Sequence, residues 1–436
     1  MHPSPPLAEP RYAPDADRPV PTETEVVVIG GGVVGVTAAL MLAEWGVPVV
    51  LCEKGRIAGE QSSRNWGWIR KQGRDLREMP LMLESQALWR RFAERTATDF
   101  GLKQNGIAYL ARDEQEMAEH EAWFEASRPF QLDSVLMDSA GADEIASQSN
   151  RRFVGAILTP SDMHAEPSFA VPAVADLAAE TGARIFEHTA VRSLEMTGGT
   201  LTGVVTEHGR IACKSVILAG GAWSRVFLEN LGASLPQLAI RSQAIATNDA
   251  PDFSDRPIGT PDASIRPRRD GGYTVGRTRA ARFDIVPAAF THFRHYLPIL
   301  RDRWKILKLR FGPEFFGALG HHRWRPDQFS PFEQTRIFDP VPDPGIVRSI
   351  MDAAADIYPQ LKGVGAKGVW GGMIDVTPDE VPIIGPVEGA SGVTVATGLT
   401  GHGFGLGPGV GLLAAQLATG REPVVDPTPF SVRRFT

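Results

Sequence analysis

Three glycines and one carboxylate near the amino terminus have the types and the spacing that bind a dinucleotide. Gly30, Gly32 and Gly35 form the pattern G-x-G-x-x-G, and Glu53 follows about 20 residues later. In such a unit the glycines bring backbone N–H groups against a pyrophosphate, and the acid accepts hydrogen bonds from an adenosine ribose. The predicted dinucleotide contacts are therefore Gly30, Gly31, Gly32, Val33, Val34, Gly35, Glu53 and Lys54.

The elements around these residues have the order that such a site needs. Val26 to Ile29 is an apolar run typical of a buried parallel strand, Thr37 to Trp45 predicts a helix, and Val47 to Leu51 predicts a second strand. The N-terminus of the helix carries unsatisfied N–H groups and a partial positive charge, and both favour a phosphate. One alternative is a glycine-rich turn that binds nothing. Another is a non-redox protein that uses a bound dinucleotide structurally or as a sensor.

Two later segments are expected to complete the same domain. The stretch SVILAGGAWS, residues 215 to 224, predicts a buried strand that runs into small residues, whose backbone can press against a flat ring or a phosphate. The stretch from Val393 to Gly420 predicts a short strand, a glycine-rich loop and a helix. The predicted cofactor contacts of the first segment are Ala219, Gly220 and Trp223.

Composition favours a globular enzyme and excludes several other classes. A chain of 436 residues with 43% hydrophobic and 22% charged residues is long enough for two interleaved domains. The net charge of -6 argues against a general nucleic-acid surface, and two cysteines make no disulfide framework, so a cytoplasmic location is expected. The adjacent His321 and His322 lack metal-ligand spacing, so no metal is expected. Residues 1–22 are rich in proline and predict a disordered lead-in.

These motifs, in this order, resemble the family of FAD-dependent amine oxidoreductases that includes glycine oxidase, D-amino-acid dehydrogenase and monomeric sarcosine oxidase. The resemblance rests on GGGVVG with Glu53, on Glu166-Pro167, on AGGAWS, and on TPDEVPIIGP followed by TGLTGHGFG. It covers the chain from Glu25 to Phe435. It implies oxidation of an amine or amino acid by hydride transfer to the flavin, after which the imine hydrolyses in water.

The resemblance also implies a fold and a domain plan. The expected fold is α/β: a discontinuous Rossmann-like FAD-binding domain interleaved with an α+β substrate domain built on an antiparallel sheet. The FAD-binding domain is expected over residues 23–75, 151–235 and 366–436, and the substrate domain over 76–150 and 236–365. The flavin contacts implied by the family are Ser62, Ser63, Asn65, Trp66, Gly67, Val191, Gly372, Gly401, His402, Gly403 and Phe404.

Departures from the family pattern sharpen the functional prediction. Arg70 matches the arginine that holds the substrate carboxylate in sarcosine oxidase, but the lysine that assists it is replaced by Gly405. The cysteine that links covalently to FAD maps to Gly372, so noncovalent FAD is expected. The oxygen-activating lysine maps to Thr274, which favours a dehydrogenase with a quinone or carrier as electron acceptor over an oxidase that produces hydrogen peroxide.

For several side chains the sequence leaves two interpretations open. Tyr273 is either a phenol over the substrate or an ordinary strand aromatic, and His402 acts either through its ring or through its backbone. Arg277 and Arg279 are the second choice for the carboxylate, and Trp66 with Trp68 forms either an aromatic wall or core packing.

The stretch Pro298 to Phe311 predicts one basic amphipathic helix. It either packs on the substrate domain or contacts the inner face of a membrane peripherally, where it would deliver electrons to a quinone or a carrier protein.

Overall fold

The computed structural model describes residues 10–277, 281–303 and 307–435. The strands are β1 Val26–Ile29, β2 Val49–Cys52, β3 Trp68–Ile69, β4 Ile107–Ala111, β5 Val135–Asp138, β6 Gly155–Thr159, β7 Met163–His164, β8 Arg184–Phe186, β9 Val191–Thr197, β10 Thr200–Thr206, β11 Gly209–Ala212, β12 Ser215–Leu218, β13 Leu238–Thr247, β14 Ile258–Gly259, β15 Ser264–Pro267, β16 Tyr273–Gly276, β17 Ala281–Asp284, β18 Leu307–Arg310, β19 Ala366–Val376, β20 Ile383–Pro386 and β21 Val393–Thr397.

The α-helices are α1 Val33–Glu44, α2 Gln61–Arg64, α3 Met79–Arg95, α4 Glu114–Ser127, α5 Ser139–Ile145, α6 Pro167–Glu180, α7 Ser224–Asn230, α8 Pro287–Thr291, α9 Phe293–Arg303, α10 Pro331–Gln334, α11 Pro344–Ile357 and α12 Gly403–Thr419. None of the helices in the described part of the chain is long and apolar enough to cross a membrane.

The first sheet is a largely parallel one in the order β20-β21-β12-β1-β2-β8. Its central strands β1, β2 and β12 are almost wholly buried, as expected for valine-rich strands covered on both faces. Helices α1 and α12 pack closely because glycines lie at their contact: a β-carbon at Gly411 would collide with the Val34 carbonyl oxygen. This sheet brings the chain segments near residues 30, 220 and 400 to one edge.

The second sheet is mainly antiparallel and follows the order β18-β17-β13-β16-β15-β14-β4-β6-β5, with β19 paired to β13. The long strands β13 and β19 run beside each other from Leu238 to Thr247, and helix α11 packs on the sheet through Ile350, Ala354 and Ile357. A parallel dinucleotide sheet beside an antiparallel sheet confirms the predicted fold class.

The interleaving of the two layers differs from the predicted domain bounds. Helix α3, expected in the substrate domain, belongs to the core of the first layer, where the Trp89 indole N–H donates to the Phe404 carbonyl at 3.2 Å. Strands β6 and β19, expected with the FAD domain, pair within the second sheet. The local sequence of a strand or helix carries little sign of which layer it joins, because contacts with distant segments decide it.

The prediction of one helix over Pro298 to Phe311 is wrong. Helix α9 ends at Arg303, residues 304–306 lie outside the described chain, and Leu307–Arg310 is a strand parallel to Ala281–Asp284. The stretch Leu307-Lys-Leu-Arg-Phe311 alternates apolar and basic residues, a period of two that fits a strand better than a helix.

Candidate functional site

A cavity of about 770 Å³ lies between the two sheets. It begins at the glycine turn after β1, passes the end of β12, and ends among side chains from the second sheet and from helices α8 and α9. Most of its wall is apolar, and a small number of charged groups face it, which is the usual composition of a ligand site.

The glycine turn is shaped so that only glycine fits. Gly30 has φ +110°, and a β-carbon there would collide with the Ala219 carbonyl oxygen. A β-carbon at Gly35 would collide with the Gly30 carbonyl oxygen, so this glycine lets α1 approach β1 and does not itself line the cavity. Because Gly32 gives no side-chain cap to α1, the first turn leaves N–H groups open to an anion.

Glu53 ends β2 at the wall of the cavity, where the sequence places the ribose-binding acid. One carboxylate oxygen accepts the Gly31 N–H at 2.7 Å, and the other accepts the Gly55 N–H at 2.7 Å. Burial raises the pKa of Glu53, and these backbone hydrogen bonds oppose the rise. Two backbone donors thus fix the carboxylate against the turn, and Val191 lies on the same part of the wall.

The expected flavin contacts divide into two groups. The residues that line the cavity are Ser62, Asn65, Trp66, Ala219, Gly220, Trp223, Gly372, Gly401, His402, Gly403 and Phe404. Ser63 is buried and donates to the Glu60 carbonyl, and Gly67 packs against Ala165, so neither reaches the cavity. Lys54 lies on the wall, but Glu60 and the carbonyls of Thr335 and Arg336 hold its ammonium.

The loop from residue 398 to 401 is anchored by a carboxylate that sequence reasoning missed. One oxygen of Asp375 accepts from the Gly398 N–H at 2.7 Å, from Gln237 at 3.0 Å and from the Thr397 hydroxyl at 3.2 Å. Burial raises the pKa of Asp375, and the hydrogen bonds oppose the rise. Asp375 therefore fixes the glycine loop that presents His402 and the N-terminus of α12 to the cavity.

Two arginines form a cationic corner at the end of the cavity. Arg70 lies on the wall, stacks its guanidinium 5.3 Å above the Tyr109 ring, and donates to the Gln72 carbonyl. Arg74, which sequence reasoning missed, is 7% exposed, and its Nε donates to the Arg70 carbonyl at 3.3 Å. Burial and the neighbouring Arg70 lower the pKa of Arg74 to about 9. The corner therefore attracts an anion.

His402 lies beside this corner at the N-terminus of α12. Its Nε2 is buried and lies 3.6 Å from an oxygen of Glu78. Burial, together with the charges of Arg74 and Arg70, holds the pKa of His402 well below its usual value. The imidazole is therefore neutral, and His402 is one of the residues that line the cavity.

Tyr273 is not brought to the cavity. Its hydroxyl accepts the Phe253 N–H at 3.1 Å, and its ring stacks on Phe253 with centroids 4.2 Å apart. The expected phenol over the substrate is thus replaced by core packing, since alternate strand residues face opposite sides of the sheet and this one faces helix α11.

Most of the other aromatic and basic candidates line the cavity, and one lies outside the described residues. Trp66 and Trp68 both line the cavity, edge to face with centroids 5.8 Å apart. Arg277 lies on the wall but donates to Ser349 at 2.8 Å, so it is already engaged. Arg279 lies outside the described residues.

Comparisons with known proteins agree with this geometry. The model of a family described as FAD dependent oxidoreductase matches residues 25–417. A glycine oxidase of Pseudomonas putida is 27% identical over 426 residues, which cover 93% of this chain and 98% of the relative. A human mitochondrial sarcosine dehydrogenase is 23% identical and aligns with 96% of this chain, but with only 42% of its own length. The structure of an L-amino acid deaminase from Proteus myxofaciens in complex with anthranilate superposes with a TM-score of 0.91 at 28% identity, covering 99% of this chain and 98% of that one.

Proposed function

The chain belongs to the family of FAD-dependent oxidoreductases, and from this premise we propose that it oxidises an α-amino acid at the carbon that carries the nitrogen. An enzyme of this family that acts on amino acids or amines with FAD was predicted, and that prediction is confirmed. The proposal for an amino acid rests on one observation: the corner made by Arg70 and Arg74 on the wall of the cavity. A guanidinium binds a carboxylate through two parallel hydrogen bonds, and a decarboxylated amine has no group that would use it.

The residues of the chain account for binding and orientation. Bound FAD supplies the acceptor for the hydride that leaves the substrate carbon. Arg70 holds the carboxylate, and the wall of Trp66, Trp68 and Tyr109 excludes water from the reacting carbon. The N-terminus of α12, held by Asp375, places partial positive charge where charge develops on the acceptor. The imine product then leaves and hydrolyses in water.

The proposed class of substrate is tested by an anaerobic screen. Purified protein is mixed with amino acids of both configurations, with N-methyl amino acids and with the corresponding amines, and the visible absorbance of the flavin is followed. An amino acid should remove the absorbance, and its decarboxylated partner should do so far more slowly. Faster reaction with the plain amine would contradict the role of the arginine corner.

Noncovalent attachment of FAD is supported by the residue at position 372, which lines the cavity. Gly372 stands where a covalent cysteine would be expected from the resemblance, and the nearest atom to a β-carbon there is Cβ of Arg64 at 3.6 Å. Acid precipitation should release all of the flavin into the supernatant. A yellow pellet would contradict noncovalent attachment.

A dehydrogenase is favoured over an oxidase because the cation expected at position 274 is absent and its surroundings are neutralised. The Thr274 hydroxyl accepts from Arg266 at 3.0 Å, and Arg266 is already paired with both oxygens of Glu166 at 2.9 and 3.0 Å. Enzyme reduced by its substrate should transfer electrons faster to a soluble quinone than to air-saturated buffer in a stopped-flow experiment. Oxygen outpacing the quinone, with stoichiometric hydrogen peroxide, would establish the alternative, an oxidase.

Peripheral contact with a membrane is supported by an exposed apolar patch beside the cavity mouth. Phe290, Phe293, Leu309, Phe311 and Phe316 are half or more exposed, and the first three also line the cavity. Exposed basic side chains flank them: Arg294, Arg301, Lys308 and Arg310. Such a surface fits anionic headgroups with apolar insertion, and it would place a membrane quinone at the mouth. Flotation with vesicles of anionic lipid tests the contact, and absence of binding would leave a soluble carrier as acceptor.

A further inference from the structure

Glu78 is a fully buried carboxylate at the edge of the substrate corner. It is 0% exposed, and neither of its oxygens has a hydrogen-bond partner among the described residues. Such a group is costly to keep in a folded protein, and it is usually retained for a function. Its neighbour across the corner is His402, whose Nε2 is equally buried and unpartnered at 3.6 Å.

The charges around Glu78 leave it able to change protonation state. Burial raises its pKa to about 8, Arg74 opposes this rise, Asp75 adds to it, and Arg70 and Arg77 oppose it again. His402 faces the same two arginines, Arg74 and Arg70, and stays neutral. The pair therefore contains one group that conducts a proton without keeping it and one that can accept a proton above about pH 8, where its carboxylate is ionised.

The proposed reaction needs such an acceptor. An amino acid arrives as an ammonium ion, and the hydride can leave its carbon only after the nitrogen has regained its lone pair. Resting on the proposed function, we infer that the substrate ammonium passes its proton through His402 to Glu78. The ammonium N–H bond breaks and an Nδ1–H bond forms, while the Nε2–H bond breaks and an O–H bond forms on Glu78. The imidazole remains neutral before and after, and Glu78 does not touch the substrate.

The first test is the pH profile of kcat/KM for Glu78→Gln, which keeps the shape of the side chain but accepts no proton. At about pH 8 to 9, where Glu78 is ionised and the substrate is still largely an ammonium ion, kcat/KM of the variant should fall about tenfold or more. The loss should shrink below about pH 7, where Glu78 of the wild-type protein is itself protonated, and toward about pH 10, where free amine is already present. Glu84→Gln, which removes a carboxylate outside the cavity from helix α3, the helix that follows Glu78, should keep the wild-type profile. Glu78→Asp, which restores a carboxylate, should recover most of the activity at about pH 8 to 9. An equal loss at every pH would reduce Glu78 to a structural role and overturn the inference.

A second test uses binding without turnover. 2-Aminoisobutyrate has no hydrogen on its α-carbon and is not oxidised, so its proton release on binding can be measured by calorimetry in two buffers of different ionisation enthalpy. At about pH 9, where Glu78 is ionised, wild-type protein should retain the ammonium proton and Glu78→Gln should release it to the buffer. Equal release by both proteins would contradict the relay, even if either variant were poorly active.

A double-mutant cycle is completed by His402→Asn, made alone and together with Glu78→Gln. If the two residues act in series, the double variant should be no slower than the slower single variant. Additive losses would mean independent roles and contradict the relay. A wild-type protein whose flavin reacts with no amino acid or amine would instead refute the proposed function, so the two failures are distinguishable.

Discussion

Backbone groups form one end of the cavity, and side chains form the other. The end beside Gly30 is made of backbone: a turn fixed by close packing, a helix N-terminus, and a carboxylate whose oxygens are already bound by Gly31 and Gly55. The end beside Arg70 is made of side chains, and among the described residues both carboxylate oxygens of Glu78 and Nε2 of His402 lack hydrogen-bond partners. By the proposed function, the first end binds FAD and the second end binds the charged groups of a substrate.

This difference predicts where the protein is intolerant of change and where it is adjustable. A binding site made of backbone should lose its ligand when one added atom collides with it, because the backbone cannot move without displacing β1 and α1. A site made of side chains should instead keep part of its function when one side chain is replaced, with a changed affinity for substrate and a changed pH dependence. The following variants test this contrast, from the largest expected effect to the smallest.

Gly35→Ala should abolish FAD binding. The new β-carbon would collide with the Gly30 carbonyl oxygen, so α1 has to separate from β1 and the turn loses its shape. Flavin content after purification, read from the visible absorbance, measures the effect. Gly368→Ala is the control, because the nearest atom to its β-carbon is on Trp370 at 4.0 Å. Normal flavin content in Gly35→Ala would show that the cradle is adjustable after all.

Glu166→Gln tests the ion pair that joins the two layers. Arg266 of β15 is buried against Glu166, which caps α6, so the variant leaves an unpaired buried cation and should lower the free energy of unfolding by about 3–5 kcal/mol. Chemical denaturation measures this loss. Glu195→Gln, which removes a half-exposed ion pair with Arg210, should cost less than about 1 kcal/mol. Equal effects would contradict the importance of burial.

The same pair predicts a pH dependence. Burial would raise the pKa of Glu166, but Arg266 outweighs it and lowers the pKa to about 2. Because the folded-state pKa lies below the ordinary value of 4.5, the stabilisation is present above that value and is lost as the pH falls through about 2. Denaturation midpoints of wild-type protein and Glu166→Gln should therefore converge in acid. A constant difference would contradict the ion pair.

Arg70→Lys keeps the charge of the corner but loses the planar fork. For the best amino-acid substrate, kcat/KM should fall by about tenfold to a hundredfold, mainly through KM, as expected for a binding contact worth about 1.5–3 kcal/mol. Arg277→Lys should have a smaller effect, because Arg277 is engaged with Ser349. If Arg277→Lys proves the more damaging, the carboxylate lies on that side of the cavity.

The exposed patch should respond least. Phe311 is 70% exposed, and Phe311→Ser should reduce partition onto anionic vesicles by about fivefold or less, with flavin content and turnover on a soluble quinone unchanged. A change in turnover without a change in partition would assign Phe311 to the reaction and not to docking.

The residues that form the first end of the cavity could be predicted from a short stretch of the sequence. Strand, glycines, helix and acid lie within about 30 residues, and each requirement falls on a residue type that reads directly from the sequence. A residue missed elsewhere in the cavity wall is Asp375, whose role is to hold the loop before α12, although its place in the segment before TPDE was a usable signal.

The second end depends on contacts between distant segments, and that is why sequence reasoning reached only Arg70 and His402. Glu78 and Arg74 lie in the unremarkable stretch GRDLRE, and their burial comes from packing against the N-terminus of α12 and against Tyr109. The two interpretations of Tyr273 stayed open because residue type does not show which face of a strand is turned toward the cavity.

The central claim is that the backbone end binds FAD and the arginine corner selects a carboxylate, and one anaerobic experiment tests both. Wild-type protein and Arg70→Ala are each mixed with the best amino acid and with its decarboxylated amine, and the rate of loss of flavin absorbance is measured. Wild-type protein should prefer the amino acid by about a hundredfold, and Arg70→Ala should lose most of this preference while keeping its flavin. A wild-type protein with no preference, or an undiminished preference in Arg70→Ala, would contradict the claim.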